Sequence, residues 1–106
     1  ATFIKRLDGV EKVSMATLPI GVIKDLEIES VERELESGEF VIMVTDGVMD
    51  ALPVKEQDTL MAGFIQEANT VNPKEMAHCL LGRVLEWSQE KPTDDMTIVV
   101  VGLWKL

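Results

Sequence analysis

The stretch FVIMVTDGVMDA, residues 40–51, decides how this chain folds. Residues 40–45 are almost entirely apolar and rich in β-branched side chains. Such a run is typical of a central strand that is buried on both faces. Asp46 and Gly47 end the run, so a carboxylate stands at the edge of the predicted strand.

A second apolar run, residues 96–104, predicts another buried strand. Asp94 and Asp95 stand immediately before it, at the end of a polar loop. Both predicted strands therefore have carboxylates at one end.

Two helices are predicted between these strands. Residues 55–69 carry an apolar stripe at helical spacing, made of Leu60, Met61, Phe64, Ile65 and Ala68. The second helix has Asn72 as its N-cap, Pro73 at its first position and Glu75 where a capping box places an acid. Its predicted apolar face consists of Met76, Leu80, Val84 and Trp87.

The first part of the chain is predicted to form further strands. Residues 2–7 and 10–15 flank Asp8-Gly9, which is a strong hairpin signal. Residues 26–35 begin with alternating apolar and acidic side chains, which favours a strand with one wet face. A solvated face is predicted for Glu32, Glu34, Glu36 and Glu39. The order of strands, two helices and a strand predicts an α+β fold built on antiparallel strands.

The composition predicts one small acidic domain. The chain has 106 residues, 46% of them hydrophobic, and its 10 basic and 19 acidic residues give a net charge of −9. The apolar content excludes intrinsic disorder, and no apolar run is long enough to span a bilayer. The scattered Lys and Arg residues disfavour nucleic-acid binding, which needs clustered basic side chains.

The single cysteine, Cys79, cannot form an internal disulfide, which favours a reducing intracellular compartment. The chain begins with Ala1 and shows no signal-peptide pattern, so it is expected to be a fragment of an intracellular protein. His78 and Cys79 have no second His or Cys with which to form a zinc site. Both are predicted to be packing residues of the second helix.

Asp46, Asp94 and Asp95 admit two interpretations. A carboxylate at the edge of an apolar strand is costly to desolvate unless a cation or hydrogen-bond donors compensate it. Mg²⁺ or Mn²⁺ would supply that compensation, since both prefer carboxylate oxygens, and Gly47 would let the backbone approach closely. Asp-Gly and Asp-Asp are also common turn sequences, and the residue types alone favour a turn.

At these carboxylates the sequence resembles a known family. Residues 40–51 and 94–101 are similar to the two C-terminal motifs of metal-dependent PP2C-type (PPM) serine/threonine phosphatases. Residues 2–6 and 18–22 resemble, more narrowly, the stage II sporulation protein E phosphatases and their bacterial relatives that dephosphorylate anti-sigma-factor antagonists. The likeness extends along essentially the whole chain, and the paired motifs favour the metal interpretation over the turn.

The resemblance implies an α-β-β-α sandwich in which two Mn²⁺ or Mg²⁺ ions lie between two antiparallel sheets. Asp46 and Asp94 match metal-ligand aspartates of the family, Asp95 is a less certain third ligand, and Gly47 brings its backbone near the metal. The implied reaction is hydrolysis of phosphoserine or phosphothreonine by metal-activated water, without a covalent phosphoenzyme. The resemblance implies no catalytic residue beyond the metal ligands.

The resemblance also implies that residues 1–106 are the C-terminal portion of a phosphatase domain. The family's N-terminal Asp-Gly motif, which supplies further ligands, has no counterpart before Asp46, because Asp8-Gly9 lies in the predicted hairpin. The isolated chain is therefore expected to be inactive or nearly so. The expected partner of the parent protein is a phosphorylated regulatory protein of the anti-sigma-factor-antagonist type. The expected location is the cytoplasmic side of the cell, which is compatible with a membrane tether elsewhere in the parent.

Two other functions stay open at this point. A phosphatase-like module could bind or regulate a partner without catalysis and keep its carboxylates for structure. Alternatively, a sheet face and edges left uncovered by the missing half could pair copies of the chain into a homo-oligomer.

Overall fold

The computed structural model describes residues 1–13, 34–88 and 95–104. The elements are, in chain order, β1 (Thr2–Arg6), β2 (Gly9–Val13), β3 (Phe40–Val44), α1 (Asp46–Asp50), α2 (Gln57–Glu67), α3 (Pro73–Trp87) and β4 (Ile98–Gly102). All strand pairs in these ranges are antiparallel, and the helices lie between β3 and β4 in the chain. The predicted α+β fold class is confirmed.

Within the described ranges, the four strands form one sheet in the order β2-β1-β3-β4. β1 and β2 form the predicted hairpin, with Leu7 and Asp8 in the turn. β3 lies between β1 and β4, which confirms its central position. The motif at residues 18–22 and most of the strand predicted over 26–35 lie outside the described residues.

One face of the sheet carries the hydrophobic core. On β3, Phe40, Ile42 and Val44 point to this face, and each is at most 6% exposed. They form one cluster with apolar side chains of all three helices. Because successive side chains of a strand point to opposite faces, Val41 and Met43 lie on the other side of the sheet.

That other face is partly open in the described part of the chain. Met43 and Val99 are each 43% exposed, and Val101 is 51% exposed. The prediction of a strand buried on both faces is therefore wrong for Met43 of β3, and the predicted burial of the second apolar strand is wrong for Val99 and Val101. The reason is that α1, α2 and α3 contribute their buried side chains to the core on the face of Phe40.

α2 and α3 confirm the two predicted helices. The buried residues at α2 and its C-cap are Met61, Phe64, Ile65 and Ala68, and those of α3 are Met76, Leu80 and Val84. Trp87 is 49% exposed, so its predicted burial is wrong: it ends α3, beyond Val84, the last buried residue of that helix. None of the helices in the described ranges is long and apolar enough to cross a membrane.

The start of α3 confirms the predicted N-cap. The Asn72 side-chain oxygen accepts hydrogen bonds from the backbone N–H groups of Lys74 (2.9 Å) and Glu75 (3.2 Å). The Glu75 carboxylate accepts a hydrogen bond from the Thr70 hydroxyl at 2.9 Å, and that hydroxyl accepts one from the Asn72 N–H at 3.1 Å. The Glu75 carboxylate is therefore linked to the Asn72 N–H through the Thr70 hydroxyl, and not by the direct hydrogen bond of a capping box.

Glu39 is buried, which corrects its predicted place on a solvated face. It is 4% exposed, and it accepts hydrogen bonds from Arg6 Nη1 at 3.0 Å and from the Glu36 N–H at 2.6 Å. Burial lowers the pKa of Arg6, but its hydrogen bond to Glu11 and the charge of Glu39 outweigh that effect and raise it. Glu34 and Glu36 are exposed, as predicted, and Glu32 lies outside the described residues.

Lys5 connects the helix-covered face of the sheet to the end of α2. Its ammonium group donates a hydrogen bond to the carbonyl oxygen of Ala68, the C-cap of that helix. Burial lowers the pKa of Lys5, and an electrostatic interaction with Cys79 partly opposes this shift. A cation at a helix C-terminus is favourable, so this contact helps to hold α2 on the sheet.

Gly102 allows α3 to begin close to β4. A Cβ atom at this position would lie 3.0 Å from Phe40 Cε1 and 3.4 Å from Pro73 Cγ. A larger residue would require the Phe40 ring to shift by a few tenths of an ångström.

Leu80→Ala is expected to lower the free energy of unfolding by about 2–5 kcal/mol, because truncating a fully buried leucine leaves a cavity. Leu85→Ala on the same helix is the matched control. Leu85 is 42% exposed, so its truncation should cost less than about 1 kcal/mol. Urea unfolding followed by circular dichroism measures both, and equal losses would contradict the one-sided packing of α3.

Asn72→Ala is expected to cost about 1 kcal/mol of stability, because it removes the acceptor for two N–H groups of the first turn of α3. Asn72→Asp keeps an acceptor oxygen and should stay close to the unsubstituted chain. Thermal unfolding compares the two variants. A loss in Asn72→Asp as large as that in Asn72→Ala would rule out the cap as the cause.

Candidate functional site

The C-terminal end of β3 leads directly into a helix. Asp46 is the first residue of α1, and the extended residue before it, Thr45, is the N-cap. The interpretation of Asp46-Gly47 as a simple turn is therefore wrong, and this short helix was absent from the sequence-based prediction. An acidic side chain in the first turn is favoured by the partial positive charge of the helix N-terminus.

The Asp46 side chain is exposed, whereas Gly47 beside it is buried. The Asp46 carboxylate has no hydrogen-bond or ion-pair partner among the residues that the structure describes. It is therefore free to bind a cation or another external group.

A pair of threonines joins the end of β3 to the segment that precedes β4. The Thr45 N–H donates to the carbonyl oxygen of Thr97 at 3.1 Å. In return, the Thr97 N–H donates to the hydroxyl oxygen of Thr45 at 3.0 Å. The Thr45 hydroxyl lies 3.5 Å from the Thr97 carbonyl oxygen, to which it donates. These bonds extend the β3–β4 pairing one residue past Val44 and Ile98.

This threonine pair brings two of the predicted ligands to one end of the sheet. Asp46 directly follows Thr45, and Asp95 lies two residues before Thr97. Asp95 is exposed, like Asp46. Asp94 lies outside the described residues, so the structure gives it no position.

The donor chemistry at this end of the sheet fits a hard divalent cation. Mg²⁺ and Mn²⁺ bind carboxylate oxygens, and Mg²⁺ in particular keeps several waters while one or two carboxylates hold it. Across residues 1–13, 34–88 and 95–104, no group of three or more His, Cys, Asp or Glu side chains is arranged to hold a metal ion. Asp46 and Asp95 therefore supply two carboxylates at this end of the sheet, fewer than such a group needs.

The structure differs from the sequence-based interpretation at one residue of the site region and at two residues of α3. Thr45 was not singled out, although a threonine before an acidic residue at the start of a helix is a recognisable N-cap signal. His78 and Cys79 lie on α3 but are exposed, so the prediction that they are packing residues of this helix is wrong. Neither residue contributes to the end of the sheet where Asp46 lies.

Comparison with known proteins identifies relatives along almost the entire chain. The family model for stage II sporulation protein E (SpoIIE) matches residues 2–104. Stage II sporulation protein E of Bacillus subtilis is 37% identical over 103 residues, which cover 96% of this chain but 12% of that protein.

Solved structures of the same relative match the fold. The phosphatase domain of the Bacillus subtilis cell fate determinant SpoIIE, presoaked with Mn, is 32% identical, with a TM-score of 0.81 over 97% of this chain and 46% of that one. A structure of the SpoIIE PP2C phosphatase domain with a fragment of its regulatory domain is 36% identical, with a TM-score of 0.88 over 96% of this chain and 31% of that one.

The antiparallel sheet with helices is thus the fold expected from the PP2C resemblance. The chain spans less than half of these solved relatives and about an eighth of the full Bacillus subtilis protein. The match of the family model over residues 2–104, together with the identity to these relatives, shows that the chain belongs to the stage II sporulation protein E family.

Proposed function

We propose that this chain is the C-terminal portion of a metal-dependent protein phosphatase domain that hydrolyses phosphoserine or phosphothreonine. In this proposal Asp46 and Asp94 are metal ligands, Asp95 is a third ligand candidate, and the backbone of Gly47 lies near the metal. The bound cations are Mn²⁺ or Mg²⁺, two of them in the complete domain.

One observation carries the proposal. The hydrogen bonds between Thr45 and Thr97 join the segments that bear Asp46 and Asp95. The exposed Asp46 directly follows Thr45, and Asp95, which is also exposed, lies two residues before Thr97. Two carboxylates in this arrangement supply oxygen donors of the kind that Mn²⁺ and Mg²⁺ select.

The chemistry that such cations supply when bound is activation of a water molecule and neutralisation of charge on the phosphoryl oxygens. The part of this chain is to fix the cations at the end of the sheet. The chain has a net charge of −9, which disfavours the approach of a phosphate group. Cations bound by its carboxylates would reduce that repulsion at the site.

The substrate in this proposal is a small phosphorylated regulatory protein of the anti-sigma-factor-antagonist type, and the reaction takes place on the cytoplasmic side of the cell. The similarity to the SpoIIE phosphatase domain supports this choice. Since the chain spans 46% of that solved domain, the remaining ligands would come from the part of the domain that the chain does not match.

The proposal is tested in the complete phosphatase domain that contains this chain. Asp46→Asn is expected to lower kcat/KM on a phosphoserine protein, with Mn²⁺ present, by more than about 100-fold. This estimate follows because even a group that only orients a metal ligand contributes about 10–100-fold. Asp8→Asn is the matched control, since it removes the same charge from the other Asp-Gly sequence, in the hairpin turn.

A kcat/KM within about threefold of the unsubstituted domain for Asp46→Asn would refute its role as a ligand. A domain that binds a phosphoprotein but shows no metal-dependent turnover would instead support the non-catalytic module.

The isolated 106-residue chain is expected to hydrolyse a generic phosphate ester no faster than buffer with excess Mn²⁺ alone. The physical reason is that two or three carboxylates do not complete a site for two cations. Release of phosphate measured over hours checks this expectation, with Asp46→Asn as the comparison. Clear turnover that Asp46→Asn abolishes would contradict it.

A further inference from the structure

We propose that Thr45 is a positioning residue, whose hydroxyl helps to hold Asp46 and Asp95 at the separation that a shared cation requires. This inference rests on the proposed function, because it concerns the same ligands. It assigns a role to a side chain that is not itself a ligand.

The reason lies in how the backbone of Thr45 is used. An antiparallel pair of this kind normally exchanges two backbone hydrogen bonds, one in each direction. Thr45 makes the first through its N–H, which donates to the Thr97 carbonyl at 3.1 Å. Its own carbonyl oxygen is occupied elsewhere, since it accepts from the N–H groups of Val48 (3.0 Å) and Met49 (3.3 Å) in the first turn of α1.

The hydroxyl of Thr45 makes the second hydrogen bond of the pair in place of the carbonyl. It accepts from the Thr97 N–H at 3.0 Å. Thr45 thus lies between β3 and α1 and still makes two hydrogen bonds to Thr97, the residue before β4. Its side chain makes no capping bond to α1, so the hydroxyl is committed to Thr97.

This arrangement makes the separation of the ligands depend on the hydroxyl. Without it, the Thr97 N–H loses its acceptor, and between the backbones of Thr45 and Thr97 only the hydrogen bond from the Thr45 N–H remains. Asp95 lies two residues before Thr97, so its position relative to Asp46 would be less tightly fixed. Groups that orient a metal ligand without touching the metal affect affinity by about 10–100-fold when they are removed.

The test compares Thr45→Val with Thr45→Ser. Valine keeps the β-branched shape but has no hydroxyl, whereas serine keeps the hydroxyl and loses only a methyl group. The probe is Mn²⁺ alone, titrated into the isotope-labelled 106-residue chain, with paramagnetic broadening of the backbone amide signals of Asp46, Gly47 and Asp95 as the readout. This readout works for weak binding and needs no turnover. Hydrogen exchange of the Thr97 amide is measured on the same samples.

Thr45→Val is expected to need about tenfold more Mn²⁺ for the same broadening and to exchange the Thr97 amide at least tenfold faster. Thr45→Ser is expected to stay within about threefold of the unsubstituted chain in both measurements. Asp46→Asn should abolish the broadening at these three amides, and Asp8→Asn should leave it unchanged.

The possible failures are distinguishable. If Asp46→Asn abolishes broadening while Thr45→Val binds Mn²⁺ like the unsubstituted chain, the positioning role is overturned and the ligand assignment stands. If Thr45→Ser weakens binding as much as Thr45→Val, the hydroxyl is not responsible and the inference is again overturned. If the unsubstituted chain shows no broadening at these amides, or Asp46→Asn and Asp8→Asn behave alike, the positioning role in this chain is overturned. The ligand role of Asp46 in the complete domain is decided separately, by the kcat/KM of Asp46→Asn described above.

Discussion

The backbone pairing of β3 with β1 on one side and with β4 on the other is the interaction on which the rest of the structure depends. It places Phe40, Ile42 and Val44 in one row beneath the helices, where they form the centre of the core. The same pairing brings the end of β3 beside the start of β4. The three helices lie between β3 and β4 in the chain. The pairing of these two strands therefore determines where the helices can pack, and it also brings Asp46 near the segment of Asp95.

Elements with strong local signals could be predicted from the sequence alone. The hairpin follows from Asp8-Gly9, and the start of α3 follows from Asn72 and Pro73, because these residues act on the backbone within a few positions of themselves. The apolar stripes of α2 and α3 likewise predicted most of the buried helix residues, with Leu60 only partly buried and Trp87 exposed. The burial of Glu39 could not be predicted in this way, because it depends on a cation, Arg6, brought beside it by strand pairing.

In the candidate site, too, some features could be predicted from local sequence and others depend on tertiary contacts. Asp46 and Asp95 stand out in the sequence because a carboxylate next to an apolar strand is conspicuous. The contribution of Thr45 is visible only when the partner of each backbone group is known, since it depends on a carbonyl already used by α1. The sequence also did not predict how much of each strand face is buried. An apolar run such as residues 40–45 is compatible with burial on both faces, but it does not show that both faces are covered. In this structure the helices cover one.

The exposure of Met43, Val99 and Val101 has a consequence for strand alignment. When one face of a strand is apolar and the other polar, a shift by one residue is penalised, because it would bury the polar side chains. β3 is apolar on both faces, so its middle imposes little such penalty. Alignment must then be determined by features outside that middle: the ion pair of Arg6 with Glu39 at one end, Thr45 with Thr97 at the other, and Gly102 opposite the ring of Phe40. The register of the central strand is thus encoded by the polar residues at its ends and by one glycine, and not by the apolar sequence that makes it a strand.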